Sequence, residues 1–182
     1  MESCFERALA AQCAPTLANL KTASLFRCLC PGRGELDAWR QALGAKGIEL
    51  TVLFCDGTHA LVYVYRPARL AADLARPGAA RLLRPYGYTS TEPGPALDQL
   101  RRRLALGDGF PHEIGVFLGY PLWDVAGFIH HAGKNCLCVG CWKVYCNECQ
   151  ARRTFARLKK CTEIYTRLWQ QGRSIPQLTV AA

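Results

Sequence analysis

The strongest constraint on the fold is a β-hairpin signal in the first half of the chain. Two runs rich in β-branched and aromatic residues, 48–54 and 59–66, flank the dipeptide Asp56-Gly57. This dipeptide between two such runs is typical of a tight turn that joins antiparallel strands. Because side chains alternate between the two faces of a strand, Leu61 and Tyr63 are expected on one face and Val62 on the other. The sequence therefore predicts a central hairpin.

Most of the remaining chain is predicted to be helical. Apolar residues recur at spacings of three and four, which is typical of amphipathic helices. Helices are predicted at 3–12, 15–20, 35–45, 67–74, 96–106, at a short segment beginning at Pro111, at 122–131 and at 147–171. Two further strands are predicted at 24–30 and 140–145. Helices around a small, largely antiparallel sheet, ending in a long amphipathic helix, make an α+β fold. Since no repeat or linker divides the chain, 1–182 is predicted to be a single domain.

The composition indicates a cytoplasmic protein that makes no membrane contact. No apolar run reaches the roughly 18 to 20 residues that a membrane-spanning helix requires. Glu2 and Glu6 lie where a signal peptide needs a basic start and a continuous apolar region. In a reducing compartment, the eleven cysteines indicate metal ligands, redox groups or small buried residues rather than a disulfide framework.

The net charge of +9 raises the question of an anionic partner. A basic patch favours binding to nucleic acid through counterion release. Apart from Arg101–Arg103 and the last helix, however, the basic residues are scattered along the sequence, and no nucleic-acid-binding motif accompanies them. A dedicated nucleic-acid function is therefore not expected. The basic last helix predicts instead an interaction module that docks on an acidic protein.

The segment from Phe110 to Cys149 concentrates aromatics, histidines and five of the eleven cysteines, so most of the chemistry is expected there. Two C-x-x-C pairs have the spacing that binds zinc or an iron–sulfur cluster, with a fifth cysteine as a spare ligand. The predicted metal ligands are Cys136, Cys138, Cys141, Cys146 and Cys149.

The four residues WKVY between the two pairs compete with this metal site. In an extended conformation they separate Cys141 from Cys146 by about 16 Å, whereas thiolates on one zinc ion lie within about 4 Å of one another. A single site therefore requires a tight loop in place of a strand. Two alternatives are unligated thiols and a redox pair, Cys146 with Cys149, at the start of the last helix.

A second candidate site combines Cys13, His112 and an acid. Thiol catalysis needs a thiolate, an imidazole within hydrogen-bond reach and a group that orients the imidazole. Cys13 precedes a predicted helix, where a thiolate is favoured, and either Glu113 or Asp124 is available as the acid. The simpler alternative is that Cys13 is a small buried residue and that His112 caps its own helix.

Several longer motifs resemble a bacterial family of unknown function that is found mainly in anaerobes. These motifs cover nearly the whole chain: CAPTLANLKTASLF, YVYRP, FPHEIGVFLGYPLWDVAGFI, GKN, WKVY, KKCTEIYTRLWQQG and LTVAA. The resemblance implies genes near those for iron uptake and flavodoxin, but no activity. The dense cysteines around WKVY depart from the family pattern.

These observations favour an accessory protein over an enzyme. The leading interpretation is a metal- or partner-binding protein in iron or redox handling, whose acidic partner is a redox protein such as a flavodoxin. Its cofactor would be zinc or an iron–sulfur cluster. The alternative is a thiol-dependent enzyme with Cys13 as nucleophile, His112 as base and Glu113 as orienting acid.

Overall fold

The computed structural model describes residues 4–107 and 109–182, which divide into two compact units. The first unit contains the described residues up to Ala68 together with Lys160–Ala182, and the second contains Arg69–Lys159. The description of 1–182 as one domain stays a prediction.

The first unit is built on a three-stranded antiparallel sheet. Its strands are β1 (Ala23–Leu29), β2 (Glu49–Cys55) and β3 (His59–Tyr65), in the spatial order β1-β3-β2. The predicted hairpin is therefore confirmed as β2 and β3. Its turn is stabilised by Asp56, whose Oδ1 accepts the backbone N–H groups of Thr58 and His59 at 2.9 and 2.7 Å.

Helices complete the first unit. They are α1 (Cys4–Gln12), α2 (Ala14–Leu17), α3 (Arg33–Gly44), the end of α9 (Glu148–Gln170) and α10 (Ile175–Leu178). One core joins them to the sheet, and its buried side chains include Phe5, Leu9, Leu17, Phe26, Leu43, Ile48, Val62, Val64, Trp169 and Ile175. Burial of this apolar surface is the main source of stability for the unit.

Buried Arg66 connects three segments of the first unit. Its guanidinium donates hydrogen bonds to the carbonyls of Thr16, Leu17 and Val180 at 2.8, 2.9 and 2.7 Å. The backbone N–H of Val180 donates in turn to the carbonyl of Leu17 at 3.0 Å. The C-terminal segment is thus attached to the end of α2.

The second unit is mostly helical. It contains most of α4 (Pro67–Leu74), then α5 (Ala79–Leu83), a 3-10 helix (Arg84–Tyr86), α6 (Pro93–Leu106), α7 (Ile114–Phe117) and α8 (Leu122–His130). A two-stranded antiparallel ladder follows, formed by β4 (Cys138–Val139) and β5 (Lys143–Val144), and the start of α9 ends the unit.

The predicted α+β class, with its small antiparallel sheet, central hairpin and long final helix, is confirmed. The predicted strand 140–145 differs in detail, because Gly140, Cys141 and Trp142 form the turn of the small ladder. The short helices α5 and α10 are not among the predicted elements. No helix in the described part of the chain is long and apolar enough to span a membrane.

Candidate functional site

The candidate site is a cavity of about 440 Å³ in the second unit. Residues of α7, α8, the β4–β5 ladder and the loops beside them form its wall. The lining residues are mostly apolar or aromatic: Phe110, His112, Ile114, Gly115, Leu118, Tyr120, Asp124, Val125, Phe128, Val139, Gly140, Trp142 and Lys143. A concave, mainly apolar wall with a few polar groups is typical of small-molecule sites.

The sequence between α7 and α8 fixes the two helices at the cavity. Gly119 has a φ of +75°, a conformation that favours glycine, and it follows the end of α7. Pro121 then precedes the first residue of α8. Gly115 lets the helices pack closely, because a Cβ atom at this position would lie 2.8 Å from Cγ2 of Val125.

Buried Asp124 attaches α8 to the segment that forms the opposite wall. Its exposed fraction is 2%. Oδ2 accepts the indole N–H of Trp142 at 2.7 Å, and Oδ1 accepts the backbone N–H groups of Tyr145 and Cys146 at 2.7 and 3.0 Å. Three N–H donors thus satisfy both oxygens of this buried side chain. Asp124 therefore positions Trp142 in the cavity wall.

Two cavity residues, Lys143 and His112, carry groups that can bind a polar part of a ligand. Nζ of Lys143 donates to the carbonyl of Gly133 at 2.7 Å and lies 5.7 Å from the ring centre of Phe128. An ammonium group has three N–H donors, so this bond leaves it further donor capacity. The ring of His112, an exposed residue, packs 4.8 Å from that of Phe128.

Glu113, predicted as an orienting acid, is fully buried in the second unit. Its Oε1 accepts hydrogen bonds from Nε of Arg103 at 3.0 Å and from the hydroxyl of Tyr88 at 3.3 Å. Among residues 4–107 and 109–182, its Oε2 has no hydrogen-bond partner. Burial, and then the charge of Glu113, raise the pKa of Tyr88. This carboxylate therefore anchors α6 and the Tyr88 segment to the start of α7.

Cys13 lies in the core of the first unit, while His112 lies in the second. Cys13 directly precedes α2, as predicted. Complete burial is the largest cause that raises the pKa of its thiol to about 12, although Lys21 and a hydrogen bond with Ser24 act in the opposite direction. A buried, protonated thiol is a poor nucleophile. Catalysis by Cys13, His112 and Glu113 stays a prediction.

The predicted metal ligands are distributed along the β4–β5 ladder and the start of α9. Cys138 lies in β4 opposite Val144, Cys141 lies in the turn, and Cys149 lies in the first turn of α9. Lys143 and Val144 form a strand, which is the conformation that competes with a single four-cysteine site. Within the part of the chain that the structure describes, no three His, Cys, Asp or Glu side chains are grouped to hold a metal ion.

The other two cysteines of this segment, Cys136 and Cys146, precede and follow Tyr145 in the sequence. Burial is the largest cause that raises the pKa of Tyr145, and a Cys136 thiolate would raise that pKa further. Burial, followed by the charge of Asp124, raises the pKa of Cys146. A reactive redox thiol needs a lowered pKa, so the environment of Cys146 does not favour the redox alternative. Metal binding by these cysteines stays a prediction.

The sequence predicts the region in which the cavity lies but not its principal residues. Asp124 is predicted only as an orienting acid for catalysis, and Phe128, Trp142 and Lys143 are not among the predicted site residues. The available signal was the density of aromatic residues between Phe110 and Cys149. The turn at Gly140–Trp142 and the hydrogen bonds of Asp124 determine which aromatic residues share one cavity. Neither feature follows from the periodicity of the sequence.

Comparison with known proteins identifies a family. Residues 9–179 match the family described as "Protein of unknown function (DUF3793)". A search of curated proteins found no match, and a search of solved structures found none. The match covers nearly the whole chain and agrees with the resemblance to a family of unknown function. The chain therefore belongs to the DUF3793 family.

Proposed function

We propose that this protein binds a small, largely apolar molecule in the cavity of its second unit. The observation that carries the proposal is the cavity itself, of about 440 Å³ and with Tyr120, Phe128 and Trp142 in its wall. Ligand pockets typically measure about 300 to 1,000 Å³ and have mostly apolar walls. Burial of an apolar molecule against these rings would supply the free energy of binding.

The polar groups of the cavity favour a ligand that also carries a hydrogen-bond acceptor or an anionic group. Both carboxylate oxygens of Asp124 already accept N–H groups, which assigns this residue a positioning role. Lys143 has donor capacity beyond its bond to Gly133. We therefore assign Lys143 as the contact for the polar end of the ligand.

A fluorescence titration with anilinonaphthalene sulfonate, an aromatic anion, tests this function. Val139 lines the cavity and is 68% exposed, so Val139→Trp would obstruct the cavity with little disturbance of the core. Leu137→Trp is the matched control, because Leu137 lies two residues away, is 55% exposed and is not among the lining residues. We expect saturable binding that Val139→Trp weakens about tenfold and Leu137→Trp does not change. Equal binding by both variants would contradict the proposal.

The contact with Lys143 has its own test. Lys143→Met keeps the length of the side chain and removes its charge. We expect this variant to weaken binding of the anionic probe about tenfold, the typical effect of one charge-assisted hydrogen bond. A neutral probe, phenylnaphthylamine, should bind both proteins equally. A parallel loss for the two probes would mean that Lys143 supports the wall rather than contacts the ligand.

One observation favours a second function, docking on an acidic partner. Arg153 and Arg157, both exposed, lie four residues apart in the part of α9 that belongs to the second unit. This spacing places them on one face of the helix, while Leu158 is buried. A basic helix face complements an acidic protein surface and accelerates its association. A flavodoxin remains our proposed partner, in iron or redox handling.

Binding of a flavodoxin, measured by calorimetry at several salt concentrations, tests this second function. Binding of the flavodoxin should weaken as the salt concentration rises. The double variant Arg153→Glu with Arg157→Glu should abolish this binding. The control variant, Arg102→Glu with Lys134→Glu, makes the same change in net charge at exposed positions outside α9. An equal effect of both variants would indicate attraction by net charge alone.

Metal binding by the cysteine segment is retained as a proposal with one structural requirement. Lys143 and Val144 must leave their strand conformation before Cys138, Cys141, Cys146 and Cys149 can share an ion. The proposal expects one zinc ion or one iron–sulfur cluster per chain after anaerobic purification, and its loss in both Cys138→Ser and Cys146→Ser. No bound metal after reconstitution with zinc or with iron and sulfide would exclude it.

A further inference from the structure

The second unit contains a groove of about 590 Å³ that shares no lining residue with the cavity of the candidate site. Residues within 76–82, which follow α4, form one wall of this groove, and the beginning of α8 forms the other. Val125 of α8 lines the cavity, whereas Trp123 and Ala126 of the same helix line the groove. One helix therefore contributes to two separate sites.

Trp123 gives the groove an exposed aromatic surface. This residue is 78% exposed. Half-buried Leu82 and Leu122 also line the groove. Burial of apolar surface of this kind releases free energy, and tryptophan is among the residues that most often dominate protein–protein binding. The groove therefore offers apolar surface that a side chain of a partner can cover.

Two arginines make the groove cationic. Arg76 and Arg81 are exposed, and no acidic residue is among the described residues that line the groove. The guanidinium of Arg76 forms an ion pair with Asp73, and its Nη1 lies 3.5 Å from the carbonyl oxygen of Tyr120. These contacts hold Arg76 at the groove wall. Since Asp73 offsets the charge of Arg76, Arg81 supplies the net positive charge of the groove.

We propose that the groove binds an acidic segment of another protein. An apolar side chain of this segment packs on Trp123, and a carboxylate of the segment pairs with Arg81, since a guanidinium can donate two parallel N–H groups to one carboxylate. Complementary charge favours an acidic segment over a basic one. A second copy of this chain fits less well, because a net charge of +9 makes two copies repel each other. The basic face of α9 contributes no residue to the groove.

Fluorescence anisotropy with the full chain and three short, fluorescein-labelled peptides tests the proposal. The first peptide alternates Glu with Leu and Phe. The second has Ser in place of Leu and Phe, and the third has Lys in place of Glu. We expect the first peptide to bind saturably and the other two to bind at least about tenfold more weakly, because each lacks one of the two contacts.

Variants of the chain locate the binding. Trp123→Ser and Arg81→Ser should each weaken binding of the first peptide about tenfold. Both residues are exposed, so neither replacement disturbs the core. The matched controls are Leu106→Ser and Arg102→Ser, which remove an exposed apolar side chain and an exposed charge of the same unit outside the groove. These controls should leave the binding unchanged.

The proposal is overturned if the second or the third peptide binds as tightly as the first, or if Trp123→Ser binds the first peptide like the wild type. Sedimentation velocity tests the other occupant, a second copy of the chain. We expect the wild type and Trp123→Ser to sediment as the same species. A wild-type dimer that Trp123→Ser converts to a monomer would assign the groove to self-association and overturn the proposal.

Discussion

The indole N–H of Trp142 donates a hydrogen bond to the buried carboxylate of Asp124, with 2.7 Å between Nε1 and Oδ2. The other carboxylate oxygen accepts the backbone N–H groups of Tyr145 and Cys146. One side chain of α8 therefore holds both the aromatic wall of the cavity and the segment that leads into α9. The shape of the proposed binding site depends on this one carboxylate.

Replacement of Asp124 by Asn should destabilise the protein by about 2 kcal/mol. The amide nitrogen of Asn is a donor and cannot accept either the indole N–H or the backbone N–H groups, so buried donors lose their partner. Urea unfolding measures the change in the free energy of unfolding. The control is Asp98→Asn, since the side chain of Asp98 is 62% exposed in its ion pair with Arg101, and exposed pairs contribute little. Equal stability of the two variants would contradict the role of Asp124.

Arg66→Met should destabilise the first unit by about 3 kcal/mol, because the carbonyls of Thr16, Leu17 and Val180 each lose a charged donor. Hydrogen exchange should show faster exchange at Val180, whose N–H is bonded to Leu17. Arg7→Met removes an exposed arginine of α1 and should leave both measurements unchanged. Unchanged exchange at Val180 in Arg66→Met would refute the proposed attachment.

Iodoacetamide near neutral pH should modify Cys13 at least about tenfold more slowly than Cys4. Cys13 is completely buried, whereas Cys4 of the same unit is exposed. Mass spectrometry of tryptic peptides measures both rates in one sample. Modification of Cys13 ahead of all other cysteines would instead support the prediction of a catalytic thiol.

The stability of the protein should also fall at alkaline pH because of Cys13. Its pKa is about 12 in the folded state against an ordinary value of 9.0, so between these values the unfolded chain binds fewer protons than the folded one. Below pH 9 the contribution of Cys13 to the free energy of unfolding does not change with pH. Above pH 9 the equilibrium constant for unfolding should rise up to about tenfold per pH unit. Urea unfolding of the wild type and of Cys13→Ala, compared at pH 8 and pH 10, isolates this thiol. The same pH dependence of stability in both proteins would contradict this role of Cys13.

Much of the fold follows from local patterns in the sequence. The strands of the hairpin at Asp56-Gly57 lie within one residue of their predicted bounds, and helix α4 has the predicted bounds 67–74. Helix α6 begins at Pro93, three residues before its predicted start. The added residues include Pro93 and Pro95, and proline fits the first turn of a helix.

The candidate site was less predictable because it depends on interactions distant in sequence. The bonds of Asp124 to Trp142 and to Tyr145 span 18 and 21 residues, and no periodicity indicates them. The position of Cys55 opposite Ala60 depends on a one-residue bulge in β2, which regular alternation does not reveal. The spacing of the C-x-x-C pairs predicts one metal site, whereas these cysteines are distributed along the β4–β5 ladder and the start of α9.

The most direct test of ligand binding in the cavity is the indole region of a ¹H–¹⁵N NMR spectrum. The chain has four tryptophans, Trp39, Trp123, Trp142 and Trp169, whose signals are assigned by single replacements with Phe. At saturating anilinonaphthalene sulfonate we predict a shift of the Trp142 signal, because Trp142 lines the cavity, and no shift of Trp39 and Trp169 in the first unit. A shift confined to Trp123, which is 78% exposed, or no shift at all, would contradict binding in the cavity.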